Sequence, residues 1–317
     1  MIYYLIGRCC YRVCSLVRNN PIKASMEEII AGNIQQQDLK NLLIEFVQNK
    51  GKNTFSFGEL CIFHYSHFTS FFDEEIIKIA AAIELLVLSF DILDDLEDED
   101  ADNTIWSQNP SLSLNGSTAL LFLSMHAIRN TRFIYREKAI ALMEKIALCT
   151  IQGQHKDLLN ACQQEDTYLQ MIEEKSGSLV SLACLVGCMM ATGDVPGGVE
   201  DYSKWIGVIG QINNDFADLE SWEGKNDMLN KKYSLPIIYL LEVEKNRERD
   251  LNDYYQNKTT KIQFLKLKDV IKQKLIDTDA LKYASVIKKD YQMKTMKALH
   301  KMDFSDNQLE FIQKYMK

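Results

Sequence analysis

Residues 91–102 read DILDDLEDEDAD, eight carboxylates in twelve residues, directly after the apolar run IELLVLSF. Helical positions i, i+3, i+4 and i+7 share one face, so this spacing brings Asp91, Asp94, Asp95 and Asp98 together at the end of a buried helix. Such a run is either a solvated helix end or a cation site. Four carboxylates on one face repel one another at i,i+4. A hard cation, Mg²⁺ or Mn²⁺, removes that conflict, because it prefers oxygen ligands and tolerates shared carboxylates. Glu97, Glu99, Asp100 and Asp102 need no role beyond solvation. A second acidic block, GQINNDFADLE, closes another apolar stretch at 210–220 and sets Asn214, Asp215 and Asp218 at i, i+1 and i+4. Two such blocks, each ending a buried helix, favour the metal reading: facing one another, they could hold magnesium ions bridged by a diphosphate. Lys175, Lys225, Lys231 and Lys232 lie in or near loops and helix ends from which they could reach the phosphates. The chemistry this suggests is ionisation of an allylic diphosphate. Metals and lysines stabilise the departing group, and an apolar cavity shields the carbocation from water.

The elements that must position these groups read as helices almost throughout. Apolar residues recur at three- and four-residue steps in 27–48, 73–97, 134–160, 167–191 and 199–220. Segments 79–90, 179–191 and 205–212 are apolar on nearly every face, the mark of helices surrounded by other helices. Breaks are expected at Asn109-Pro110, at 193–198 and around Gly224. Strand-like alternation and repeats are missing. With 46% hydrophobic residues, four prolines and no linker, the expected architecture is one large all-α bundle with a central cavity over residues 26–317. Residues 1–25 form an extension that reads either as a membrane-surface helix or as an upstream start before Met26. The net charge of −8, without a basic stripe bearing aromatics, argues against nucleic acid as a partner. No run of eighteen apolar residues suggests a membrane span. Eight cysteines at spacings that fit no stapled scaffold indicate reduced thiols and a cytoplasmic location. From Lys245 onward the chain is lysine-rich; that stretch reads as a solvated face or as a contact for a peptide or an anionic membrane.

Several ordered motifs resemble the trans-isoprenyl diphosphate synthase family from about residue 27. Glu84 precedes Asp94-Asp95-Leu96-Glu97-Asp98 by ten residues; Gly153-Gln154 with Asp157 and Lys175-Ser176 follow. Gln211 then precedes Asn214-Asp215-Phe216-Ala217-Asp218, with asparagine where chain-elongating members usually carry aspartate. Gly224-Lys225, Asp227 and Lys232-Tyr233-Ser234-Leu235-Pro236 complete the series. The resemblance implies the isoprenoid synthase fold, with Mg²⁺ (or Mn²⁺) on Asp94, Asp95, Asp98, Asn214, Asp215 and Asp218. Asp91 is an auxiliary ligand that the family motif does not require. Lys175, Gln211, Lys225 and Lys232 are the implied ligands of an allylic prenyl diphosphate. Phe90 beside Ser89, just before the first motif, implies a short pocket and hence a geranyl or farnesyl donor.

The departures are informative. Chain-elongating members hold the diphosphate of their acceptor with a GGKRxRP loop, a histidine and an Arg-Arg pair. Here the corresponding residues are Gly51-Lys52-Asn53-Thr54-Phe55-Ser56, Val87 and Asn103-Thr104. Losing those charge-assisted hydrogen bonds disfavours an anionic acceptor. FSF at 55–57, His64-Tyr65 and the string DDLEDED resemble a branch that prenylates tryptophan in a small competence-pheromone precursor, a quorum-sensing role. Two alternatives stay open at this level: a short-chain prenyl diphosphate synthase, and a non-catalytic helical partner of one. By analogy with the family a homodimer is expected, and the lysine-rich end admits a peripheral contact with the inner face of the cell membrane.

Overall fold

The computed structural model describes residues 21–50, 55–98, 104–220, 222, 226–245 and 250–317. Helices follow one another along the chain: α1 (Pro21–Asn33), α2 (Gln37–Lys50), α3 (Ser56–Phe68), α4 (Ile76–Glu97) and α5 (Pro110–Arg129). Next come α6 (Arg136–Leu158), α7 (Glu165–Ile172), a π-helical turn (Glu173–Gly177), α8 (Ser178–Thr192) and α9 (Val199–Glu220). The C-terminal part adds α10 (Leu235–Glu244), α11 (Asp250–Tyr255), α12 (Lys261–Leu265), α13 (Lys268–Asp277), α14 (Ala280–Leu299) and α15 (Asp306–Gln313). Among the described residues there is no strand.

Two helices form the centre, as their all-round hydrophobicity predicts. Every residue of α4 from Ile79 to Ser89 is buried, and so is every residue of α8 from Ser181 to Met190. Helix α4 packs on α1, α3 and α5, whereas α8 packs on α3, α6 and α9. With the π-turn, Glu165–Thr192 is long and apolar enough to cross a membrane, but 61% of its apolar window is buried inside the protein. It is a core helix. Segment 205–212 is less enclosed than expected, because Gln211 faces a cavity and Trp205 and Gly210 are only half-buried. Helix ends follow local chemistry. Asn109 accepts from the Leu112 N–H ahead of Pro110 at the first position of α5. Gly193 closes α8 at φ 77°, a left-handed cap that suits glycine.

The expected segment 27–48 divides at residues 34–36, and its first helix begins earlier, at Pro21. Ile22 and Met26 both belong to the main core, so the helical body takes in residues ahead of the boundary expected at 26. His64 is also a core residue: its ring bonds the Leu60 carbonyl and the Tyr202 hydroxyl, tying α3 to α9.

Candidate active site

Helices α4, α6, α7 and α9, the π-turn and the loop before α10 enclose a polar cavity of about 220 Å³. That is head-group size, below the roughly 300–1,000 Å³ of whole small-molecule pockets. One wall is the end of α4, with Asp94 and Asp98; the opposite wall is the end of α9, with Gln211, Asn214, Asp215 and Asp218. Asp157, Lys175, Asp227 and Lys232 close the sides. A small apolar cluster including Tyr168, Met171, Ile172, Val208 and Ile212 lies beneath.

The acidic face of α4 does not act as one block. Asp94 pairs with Lys175 at 2.9 Å, and Asp98 with Lys232 at 2.5 Å. Asp95 instead accepts from the Trp106 indole N–H at 2.9 Å and lies outside the cavity lining. Asp91 is spent on Lys50, 3.0 Å away, and is likewise outside it. The convergence of four carboxylates expected from spacing alone is therefore corrected: mutual repulsion is relieved by separate donors on different sides of the helix end. Lys50 also reaches the fully buried Glu84 at 3.4 Å, whose other oxygen accepts from the Gly58 N–H near the start of α3.

Lys175 sits in the π-turn inside the helical stretch Glu165–Thr192, not at a loop or helix end as expected, and such turns are found often at functional sites. It bridges Asp94 and Asp157, the latter at 2.7 Å. Burial pulls its ammonium down, but the two carboxylates outweigh that and hold it above its ordinary value. Two glycines admit this turn between α6 and α9. A Cβ on Gly153 would lie 2.5 Å from the Lys175 backbone nitrogen, and one on Gly207 2.5 Å from the Ser176 backbone carbonyl oxygen. Lys232 is placed by its loop. The Asn160 side chain donates to the Lys231 carbonyl, Tyr255 donates to the Lys232 carbonyl, and Lys231 turns the chain at φ 57°. Lys231 itself points elsewhere, to Asn257 and over the Tyr254 ring.

Asp215 lies deepest, with 2% of its surface exposed. Tyr168 donates one hydrogen bond to it and Gln211 another, at 3.1 Å; Ser176 in turn donates to Gln211 at 2.8 Å. Burial nevertheless pushes its carboxyl up to about 7, against the pull of those two donors. Burial likewise raises Asp98, opposed by Lys232. Tyr168 was not singled out from sequence, although it stands seven residues before Lys175 on the same helical stretch, a spacing that marks one face. Ser89 and Phe90 are not part of the cavity lining: Ser89 donates to the Ser117 carbonyl and fastens α4 to α5, and Phe90 packs beside the core. Lys225, Lys52, Gly51–Thr54, Asn103, Glu99, Asp100, Asp102 and Gly224 lie outside the described residues, as does the extension up to residue 20.

The donor set fits a divalent cation. Among the described residues six aspartates line the cavity against two lysines, an excess of four negative charges when all are ionised. Asp98 Oδ1 is buried without a hydrogen-bond partner among the described residues, an arrangement that is costly unless a cation or donor meets it. Among the described residues no three metal-binding side chains are already gathered round one point. The carboxylates stand on two walls with room for an anion between them.

An all-α fold with facing acidic helix ends and lysines between them defines an isoprenoid-synthase-type prenyltransferase. The chain belongs to the polyprenyl synthetase family, whose model matches residues 36–273. It is 38% identical over 268 residues to the tryptophan prenyltransferase ComQ of Bacillus subtilis subsp. natto (strain BEST195), covering 84% of this chain and 82% of that protein. To the tryptophan prenyltransferase ComQ of Bacillus subtilis (strain 168) it is 34% identical over 291 residues, covering 90% and 95%. Its fold matches that of a polyprenyl synthase from Caulobacter crescentus CB15 complexed with calcium and isoprenyl diphosphate. That match has a TM-score of 0.79 at 19% identity and covers 97% of this chain and 96% of the other.

Proposed function

We propose that this protein transfers a geranyl or farnesyl group from its diphosphate, with Mg²⁺, to a tryptophan of a small pheromone precursor peptide, a step in quorum sensing and competence. The observation that carries this reading is the similarity to tryptophan prenyltransferases over most of both chains. Lys175 and Lys232 bind and orient the leaving diphosphate between the two acidic walls. Asp94 and Asp98 on one side, with Asn214 and Asp218 on the other, are the groups that would hold the cation. Bound there, Mg²⁺ supplies the charge neutralisation that lets a diphosphate enter and depart an acidic cavity. Tyr168 and Gln211 keep Asp215 fixed beneath them, and the buried flank of α4 excludes water from the allylic carbon. The acceptor needs no activating base before attack, since indole C3 is nucleophilic as it stands. A neutral acceptor also suits a chain with Val87 and Thr104 where elongating members carry a histidine and an arginine.

The test offers purified protein geranyl or farnesyl diphosphate and Mg²⁺, with either a tryptophan-containing precursor peptide or isopentenyl diphosphate. A peptide mass gain of one prenyl unit is expected. An elongated diphosphate without peptide product would reassign the protein as a short-chain synthase.

A further inference from the structure

We propose that the outer face of α14 is a docking surface for an anionic lipid membrane. The chain carries a net charge of −8, yet residues 258–301 contain twelve lysines and four aspartates, with no arginine or glutamate. So strong a local reversal of sign needs a reason beyond solubility, which the acidic remainder already supplies. Along α14 the exposed residues Lys282, Val286, Lys289, Met293 and Lys297 follow steps of four, three, four and four, which keeps them on one helical face. Val286 and Met293 are 59% and 57% exposed. The opposite side, with Ala284, Thr295 and Leu299, is buried, where the helix packs on α9 and α10. Two acids of this stretch stand beside its lysines: Asp279, 3.8 Å from Lys282, and Asp290, 2.7 Å from Lys294. Both partnerships are solvent-exposed and therefore weak competitors for a charged surface.

The residue types choose among polyanions. A nucleic acid would be expected to recruit arginine forks and exposed aromatic rings, and this stretch has no arginine. Lysines interleaved with aliphatic side chains suit a lipid surface, where the ammonium groups meet phosphates and the aliphatic groups enter the boundary of the acyl chains. The helix, 20 residues long, offers about 30 Å of such surface. Docking would hold a prenyltransferase where molecules with hydrocarbon tails concentrate.

The test is sedimentation of the full chain with vesicles of phosphatidylglycerol and phosphatidylcholine in equal parts, and with phosphatidylcholine alone. Binding is expected only to the anionic vesicles, and it should weaken as salt is raised. The triple variant Lys282→Glu, Lys289→Glu, Lys297→Glu should bind about a hundredfold more weakly, from roughly fivefold per lysine near the surface, with an unchanged melting temperature. Val286→Asp with Met293→Asp should weaken binding further at high salt, where the apolar part dominates. Wild-type protein left in the supernatant, equal binding to neutral vesicles, or full binding by the triple variant would each overturn the proposal. So would lysine-dependent binding to duplex DNA without binding to vesicles.

Discussion

Replacing Asp215 with asparagine is expected to stabilise the protein at alkaline pH while abolishing its activity. Burial holds the carboxyl at about 7 rather than the ordinary 3.8, even though Tyr168 and Gln211 both donate to it. The folded state therefore binds this proton more tightly than the unfolded chain does. The group costs nothing below about pH 4, its penalty grows between about pH 4 and 7, and it is complete above that range. About three pKa units at 1.36 kcal/mol each come to about 4 kcal/mol. Asparagine is neutral throughout and still accepts from Tyr168, but its amide faces the Gln211 amide, which must turn over. Losing one hydrogen bond costs about 1 kcal/mol, leaving a net gain of about 3 kcal/mol at the alkaline end. Urea unfolding of both proteins in metal-free buffer, from about pH 4 to about pH 8.5, measures the difference directly. The gap should open as pH rises and narrow when Mg²⁺ is added, since a cation held above Asp215 favours its ionised carboxylate and so stabilises the wild type more than the variant. A gap independent of pH, or a variant weaker than wild type at alkaline pH, would refute the reasoning that Asp215 is ionised against the preference of its surroundings.

Other side chains of the site give sharper contrasts. Lys232→Gln should weaken binding of the prenyl diphosphate about tenfold, the value of one charge-assisted hydrogen bond. It should also tighten Mn²⁺ binding without donor, because Asp98 is then no longer shared with an ammonium group; an electron paramagnetic resonance titration reads this, and weaker binding of both ligands would show that Lys232 builds the site instead. Gly153→Ala would drive a methyl group to 2.5 Å from the Lys175 backbone nitrogen. A cost of about 1–3 kcal/mol and loss of transfer are expected, and a wild-type melting temperature with full activity would show that the π-turn can recede. Lys50→Met leaves Glu84 buried without its cation and should cost about 3 kcal/mol in denaturant unfolding. Adding Glu84→Gln should recover part of that loss, and a neutral single variant would remove the pair from the account of stability.

What could be read from sequence, and what could not, divides along a physical line. The enclosed helices α4 and α8 were legible because burial on every side leaves an apolar record at every position. The two acidic helix ends were legible because i, i+3, i+4 and i+7 spacing is a local property. Which carboxylate faces the cavity was not legible. Asp94 and Asp98 are drawn inward by Lys175 and Lys232, Asp95 is turned aside by Trp106, and Asp91 by Lys50, all partners supplied by other parts of the chain. The π-turn at Lys175 was equally hidden, since the sequence around Lys175 reads as ordinary helix. Its extra residue fits only because Gly153 and Gly207 let two neighbouring backbones approach it. The same lysines that resolve the repulsion within α4 also stand between its carboxylates and any cation. Diphosphate binding must then loosen two ion pairs as it brings metal to the aspartates, and donor and metal should bind cooperatively even where each alone binds weakly.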